Sequence, residues 1–364
     1  MKCLNCGKRI ANDSVFCEFC GKKVPNEETI VDDSGKVEEK NPSQKPVENP
    51  KRKKKWPWLV GAGVAMIAVV LFLNIFNNYE NYAQSFSEGL AYAEIKGKAG
   101  YIDKSGEMVI TLPDHYNWGR EFHDGLAAVR DEESSLWGYI DKVGRQVVVP
   151  QYQIADGFSE GFAHVVTTEW EHFFIDRMGQ RVINLGEGVS VGGFHEGIAR
   201  VDHCFIDSTG KSVLRPSVAV DYIWDFHESL AAVQINGKVG YIDKTGNLVI
   251  PPKYDNENYS IRDNWHNFSE GLAVVRINGK FGCIDKTGNL VIPPRYAWVQ
   301  RFSDGLAAVE INGKVGYIDR TGNQIISPQY DWVGDGFSEG VAYVMKNGRA
   351  FFIDKNGNKV LTIR

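Results

Sequence analysis

The segment from Phe302 to Tyr330, FSDGLAAVEINGKVGYIDRTGNQIISPQY, sets short apolar–polar alternations between turn formers. Alternate positions Leu306, Ala308 and Glu310 suit a first strand, because successive strand side chains point to opposite faces. Asn312-Gly313 supplies the positive φ angles of a tight hairpin turn. Lys314 to Asp319 makes a second strand, and Asp319-Arg320-Thr321-Gly322 a second turn. Gln324 to Ser327 is the third strand, and Pro328 is expected to end it by withholding a donor.

The same grammar recurs. INGKVGYIDKTGN (235–247) returns as INGKFGCIDKTGN (277–289) and INGKVGYIDRTGN (311–323). A Phe before a turn of Ser or His, an acid and Gly marks each copy: Phe86, Phe122, Phe158, Phe194, Phe226, Phe268, Phe302 and Phe337. The steps are 36, 36, 36, 32, 42, 34 and 35 residues, so the region 77–364 is one array of eight three-to-four-stranded meanders. One meander cannot bury its apolar face, so neighbours must cover one another. The expected class is therefore all-β. A closed β-propeller is favoured over an open β-solenoid because the eighth copy ends without an obvious polar cap.

A different pattern occupies the start of the chain. Pro57 to Phe76 carries no charge, and twenty helical residues at ~1.5 Å each span the ~30 Å of a bilayer core. Trp56 and Trp58 stand at one end beside the basic block Lys51–Lys55, and the next Lys or Arg after the span is Lys96. Residues 56–76 are thus expected to form a transmembrane helix with the N-terminus cytoplasmic and the repeats extracellular. A cleaved signal peptide fits poorly behind some fifty preceding residues, and a buried core helix fits poorly with so long an uncharged run. Residues 25–55 are polar and charged, and are expected to form a disordered linker ending in the basic block.

Four of the six cysteines fall in the first twenty residues. Cys3 and Cys6, then Cys17 and Cys20, form two C-x-x-C pairs, each followed by glycine (Gly7, Gly21). Paired thiolates on tight turns offer the four tetrahedral sulfurs that Zn²⁺ prefers, and leave no position open for water, so a structural zinc is expected in a domain spanning residues 1–24. Two disulfides are the competing reading. The segment resembles the short zinc ribbons at the N-termini of bacterial proteins, with Leu4 where that family usually has Pro. Net charge is -5, which gives no broad reason to expect nucleic acid as a partner.

Lys238-Val239-Gly240-Tyr241-Ile242-Asp243 and Lys314-Val315-Gly316-Tyr317-Ile318-Asp319 resemble the bacterial WG-containing β-repeat family, whose core runs Lys, Trp, Gly, Tyr, Ile, Asp. The Trp survives only as Trp137 before Gly138. Copies three and four depart from the pattern, with HFFID (172–176) and HCFID (203–207), and Ser229 replaces a turn Gly.

Every copy carries the aspartate of the Ile-Asp pair, from Asp103 to Asp354, and an acid in the Phe turn, such as Glu88, Asp304 or Glu339. A residue copied eight times serves the turn copied with it, so no catalytic residue is expected. His123, His195, His227 and His266 are expected in solvated turns, Cys204 and Cys283 as free buried thiols, and Tyr254, Tyr296, Trp298, Tyr330 and Trp332 in the core. The functional expectation is a non-catalytic, membrane-anchored platform that binds a protein or cell-envelope polymer. The alternatives are an envelope sensor relaying to the zinc ribbon, and a glycan- or peptide-processing enzyme.

Overall fold

The computed structural model describes residues 81–256 and 264–363. The chain divides into two units, Met1–Ile67 and Ala68–Arg364, and every described residue belongs to the second. The zinc ribbon with Cys3, Cys6, Cys17 and Cys20, the linker and the 56–76 span lie outside the described residues.

The described residues form eight antiparallel sheets in sequence order: 81–111, 116–152, 154–187, 191–214, 222–255, 264–296, 298–330 and 332–361. Each is a meander whose strands lie side by side in chain order. Seven have four strands. In the sixth, a 3₁₀ turn at Asn264–His266 stands in place of the first strand. The eight sheets are the blades of a closed propeller, not the turns of an open solenoid: Ala83, Phe86 and Ile102 of blade 1 share a buried cluster with Tyr343, Phe352 and Ile363 of blade 8.

Each blade is joined to the next in the same way. The marker Phe is buried in every copy. It packs on the aromatic ring of the Gly-Tyr-Ile-Asp strand one blade earlier, as in Tyr101–Phe122 at 4.7 Å, Tyr139–Phe158 at 4.9 Å and Tyr317–Phe337 at 4.8 Å between centroids. Phe352–Phe86 at 5.1 Å repeats the contact where blade 8 meets blade 1. Edge-on ring pairs of this kind contribute ~0.5–1.5 kcal/mol beyond the area they bury. Cys283 holds the aromatic position in blade 6, and there Phe281 and Trp265, 5.3 Å apart, supply the missing volume.

The turn after each Phe is a two-residue hairpin with the acid and the next residue both at positive φ, for example Glu88 at 54° and Gly89 at 86°. The acid then reaches the following blade. Glu88 accepts the Gly125 N–H at 3.0 Å and pairs with Lys142 at 2.9 Å. Glu196 accepts the Ser229 N–H at 2.9 Å and pairs with Lys244 at 2.8 Å. Glu339 closes the ring on the Gly89 N–H at 2.9 Å and Lys104 at 3.0 Å. Asp124, Glu160, Glu228, Glu270 and Asp304 each accept the equivalent glycine N–H of the next blade. Four of the five serines that follow a Phe donate their hydroxyl to the next Phe carbonyl, as Ser87 does to Phe122 and Ser338 to Phe86.

One sequence expectation fails in the last strand. Pro328 does not end it; the strand runs Gln324–Tyr330 with Pro328 inside. The ladder slips between Val315 and Tyr317, so the lost donor falls at a bulge where no partner was required. The bulge also explains the motif glycine. A Cβ on Gly316 would lie 2.5 Å from the Ile326 carbonyl oxygen, and one on Gly240 equally close to that of Ile250. Phe173 and Phe351 occupy this position in blades 3 and 8, whose last strands, RVINLGE and KVL, contain no proline.

Candidate binding site at the ring axis

The repeated Ile-Asp carboxylates are engaged in their own turns. Asp243 Oδ1 accepts the Thr245 N–H at 2.9 Å, the Thr245 hydroxyl at 2.5 Å and the Asn247 N–H at 3.1 Å. The other Ile-Asp aspartates accept the same two backbone N–H bonds from their own loops, as at Asp103 and Asp319, though Asp141, Asp176 and Asp354 have no hydroxyl donor there. The turn role expected of them holds, and the acids of the Phe turns serve as staples between blades.

The positions just before each Phe behave differently. In blades 1 to 7 the preceding residue is Ser85, Glu121, Gly157, Gly193, Asp225, Asn267 and Arg301, and blade 8 inserts Asp335-Gly336 there. Three of them, Glu121, Gly157 and Asp335, come together toward the axis of the ring. A cavity of about 370 Å³ is lined by Tyr82 and Gln84 of blade 1, Arg120, Glu121 and His123 of blade 2, Gly157 of blade 3 and Asp335 of blade 8.

The electrostatics of this mouth are unlike those of the repeated turns. Burial, reinforced by Asp335, pushes the Glu121 carboxyl up to about 7. Burial lowers the Arg301 guanidinium from its ordinary value, while Asp335 opposes that shift. The Tyr82 phenol is raised by burial and by Asp335. Arg120 is held 3.6 Å from the Asp156 carboxylate with its guanidinium 4.8 Å over the Trp137 ring. Asp156 in turn bonds His164 Nδ1 at 2.8 Å, and His164 Nε2 lies 3.1 Å from His172 Nδ1.

Farther round, buried Arg200 meets Asp225 at 3.3 Å. Burial raises the Asp225 carboxyl against the pull of Arg200 and His195. Gly192 is required here because a Cβ would overlap that carboxylate. The His195 and His227 rings are 4.4 Å apart. Burial, His195 and Arg301 together bring the His227 imidazole down to about 4.

Several expected positions are corrected. Of the four turn histidines only His123 is exposed: His195 and His227 are half-buried, and His266 is buried, its imidazole held down to about 3 by the loss of solvation. Trp224 and Trp265 pack against the His266 ring. Cys283 is a buried free thiol as expected, but Cys204 is half-buried. Tyr254, Tyr296 and Tyr330 lie in the core, whereas Trp298 is half-buried and Trp332 is 46% exposed, because both stand on the short first strand at the axis. Arg120, Glu121, Arg301 and Asp335 were missed by reading repeated residues. Their signal is the opposite one, a column where charge changes from copy to copy while its neighbours repeat.

Among the described residues no group of three or more His, Cys, Asp or Glu side chains is placed to hold a metal ion, and no helix is long and apolar enough to cross a membrane.

Among solved structures, the chain is similar to BamB from Moraxella catarrhalis, at 12% identity over 74% of this chain and 94% of that one, with a TM-score of 0.48. It is similar to PorZ, a surface component of the type-IX secretion system of Porphyromonas gingivalis, at 10% identity over 76% of this chain and 44% of that one, TM-score 0.41. It is also similar to the Dos1 propeller, at 13% identity over 77% and 90%, TM-score 0.44. Among curated proteins no sequence matches the chain. The family model of the WG containing repeat matches residues 100–133, 137–167, 205–238, 240–281, 281–314 and 316–349, more than half of the sequence. The chain belongs to the WG containing repeat family.

Proposed function

We propose that this protein is a non-catalytic, membrane-anchored binding platform whose propeller holds a protein or cell-envelope polymer at its axial mouth. One observation carries the reading. The residues that repeat are used up in holding the ring together, while charged and polar groups that differ between blades line one cavity with Tyr82, and the exposed Trp118 stacks on Tyr82 beside it. Repeat scaffolds of this kind separate a uniform frame from a variable contact surface. The uncharged run 56–76 would place the propeller outside the cell, and Cys3, Cys6, Cys17 and Cys20 would hold one structural Zn²⁺ on the cytoplasmic side.

The test is crosslinking of the full-length protein to cell-envelope fractions, followed by mass spectrometry. Crosslinks are expected within the axial mouth and are expected to disappear in a Glu121→Gln/Asp335→Asn variant. Crosslinks that ignore this variant, or turnover of the captured partner, refute the proposal. Protease added to intact cells tests the topology: it should reach the propeller, and protection of the propeller would overturn the outward placement.

A further inference from the structure

The mouth has an aromatic side. Trp118 and Trp332 are 38% and 46% exposed, an unusual state for the largest apolar side chain. They belong to one strip across blades 8, 1 and 2. Tyr82 stacks on Trp118 at 5.8 Å and 29°, Tyr82 meets Tyr343 edge-on at 6.3 Å, and Trp332 meets Tyr343 edge-on at 6.2 Å. Rings braced on one another lose little freedom when a ligand covers them. Tyr82 lines the polar cavity together with Gln84 and Arg120, so the strip adjoins the cavity through the Tyr82 ring on which Trp118 stacks.

The polar side is balanced in charge. Arg120 and Arg301 oppose Glu121 and Asp335, and Arg120 is already engaged by Asp156 and Trp137. A polyanion meets the two carboxylates, a polycation meets the two guanidinium groups, and a wholly apolar ligand strips water from all four. A ligand with apolar C–H faces and many neutral hydroxyls satisfies both sides. Resting on the function proposed above, we infer that the mouth binds an uncharged oligosaccharide, with pyranose faces on Tyr82, Trp118 and Trp332 and hydroxyls bonded to Gln84, Glu121 and Asp335. The cavity volume of about 370 Å³ lies within the ~300–1,000 Å³ range of small-ligand sites.

The experiment is a calorimetric and tryptophan-fluorescence titration of the full-length protein with chitotetraose, cellotetraose and maltotetraose, beside polyglutamate and oligolysine. At least one neutral tetrasaccharide is expected to bind and to perturb the fluorescence. Trp118→Ala and Trp332→Ala should each weaken it by about tenfold, Trp332→Phe should retain most of the affinity, and the rim variant Val249→Ser should leave it unchanged. Thermal unfolding of each variant separates lost contacts from lost folding. Absence of binding by all three sugars overturns the inference, as does binding indifferent to Trp118 and Trp332. If oligolysine binds instead and Asp335→Asn abolishes it, or polyglutamate binds and Arg120→Gln abolishes it, the platform stands and the saccharide reading falls. If envelope crosslinks ignore the axial variants, both fall together.

Discussion

Removing the Glu339 carboxylate tests how the ring is closed. No strand is exchanged between blades 8 and 1; each sheet is built from its own stretch of chain. Closure therefore rests on side chains, and Glu339 contributes two contacts, to the Gly89 N–H at 2.9 Å and to Lys104 at 3.0 Å. A charge-assisted bond to a half-buried backbone donor is worth ~1.5–3 kcal/mol. The ion pair adds at most ~1 kcal/mol, since the Lys104 side chain is 50% exposed. Glu339→Ala should then destabilise by ~2 kcal/mol, and Glu339→Gln, which keeps an acceptor, by less. Burial is the largest single influence on this carboxyl and acts upward, but the Gly89 N–H and Lys104 outweigh it and hold the group below its ordinary 4.5. A carboxyl depressed in the folded state contributes stability that is present above pH 4.5 and lost as pH falls through the lower folded value. Urea unfolding followed by tryptophan fluorescence should show the full loss at pH 7 and a smaller one at pH 3. Glu196→Ala, at an interior interface with the same contacts, should give a matching loss. A Glu339→Ala effect below ~0.5 kcal/mol at pH 7, or one of equal size at both pH values, would refute the staple as the closing device.

Other outcomes follow from single positions. Ser229 sits at φ 70° where other copies have glycine, so Ser229→Gly should raise stability by ~0.5–1 kcal/mol in the same unfolding assay. Gly240→Ala should cost more than ~2 kcal/mol, because its Cβ would press on the Ile250 carbonyl and the Pro252 nitrogen, both backbone atoms. Buried His266, held near 3, contributes stability that is complete above its ordinary 6.5 and is lost as pH falls toward 3. Its ring protons should therefore not shift between pH 8 and 5 by NMR, and His266→Gln should flatten the acid limb of the stability curve. Metal analysis of the full-length protein should find one zinc per chain, and Cys3→Ser should release it.

The frame was legible in the sequence because it is written eight times. The Phe spacing, the Asn-Gly turns and the Ile-Asp aspartates each encode a local, backbone-determined feature, and local features survive the absence of coordinates. The bulge at Pro328 was not legible, since a proline ends a strand unless the facing residue is a glycine that lets two backbones approach. The staple role of Glu88 and its counterparts joins residues some 37 positions apart, so a turn motif read by itself could not show it. The axial site stayed hidden for the reverse reason. Arg120, Glu121, Arg301 and Asp335 share no pattern, and only the curvature of the ring brings residues from blades 2, 7 and 8 to one mouth.

Each blade has two unlike flanks: one offers an acid and, in every blade but the sixth, a tyrosine or phenylalanine ring, the other a turn N–H and the marker Phe. Contacts of this heterologous, head-to-tail type close by rotation, as in a cyclic assembly of subunits. A chain carrying only four consecutive blades would thus present complementary flanks at its two ends, and two such chains would complete the circle as a two-fold dimer. Three or five blades could not close in pairs.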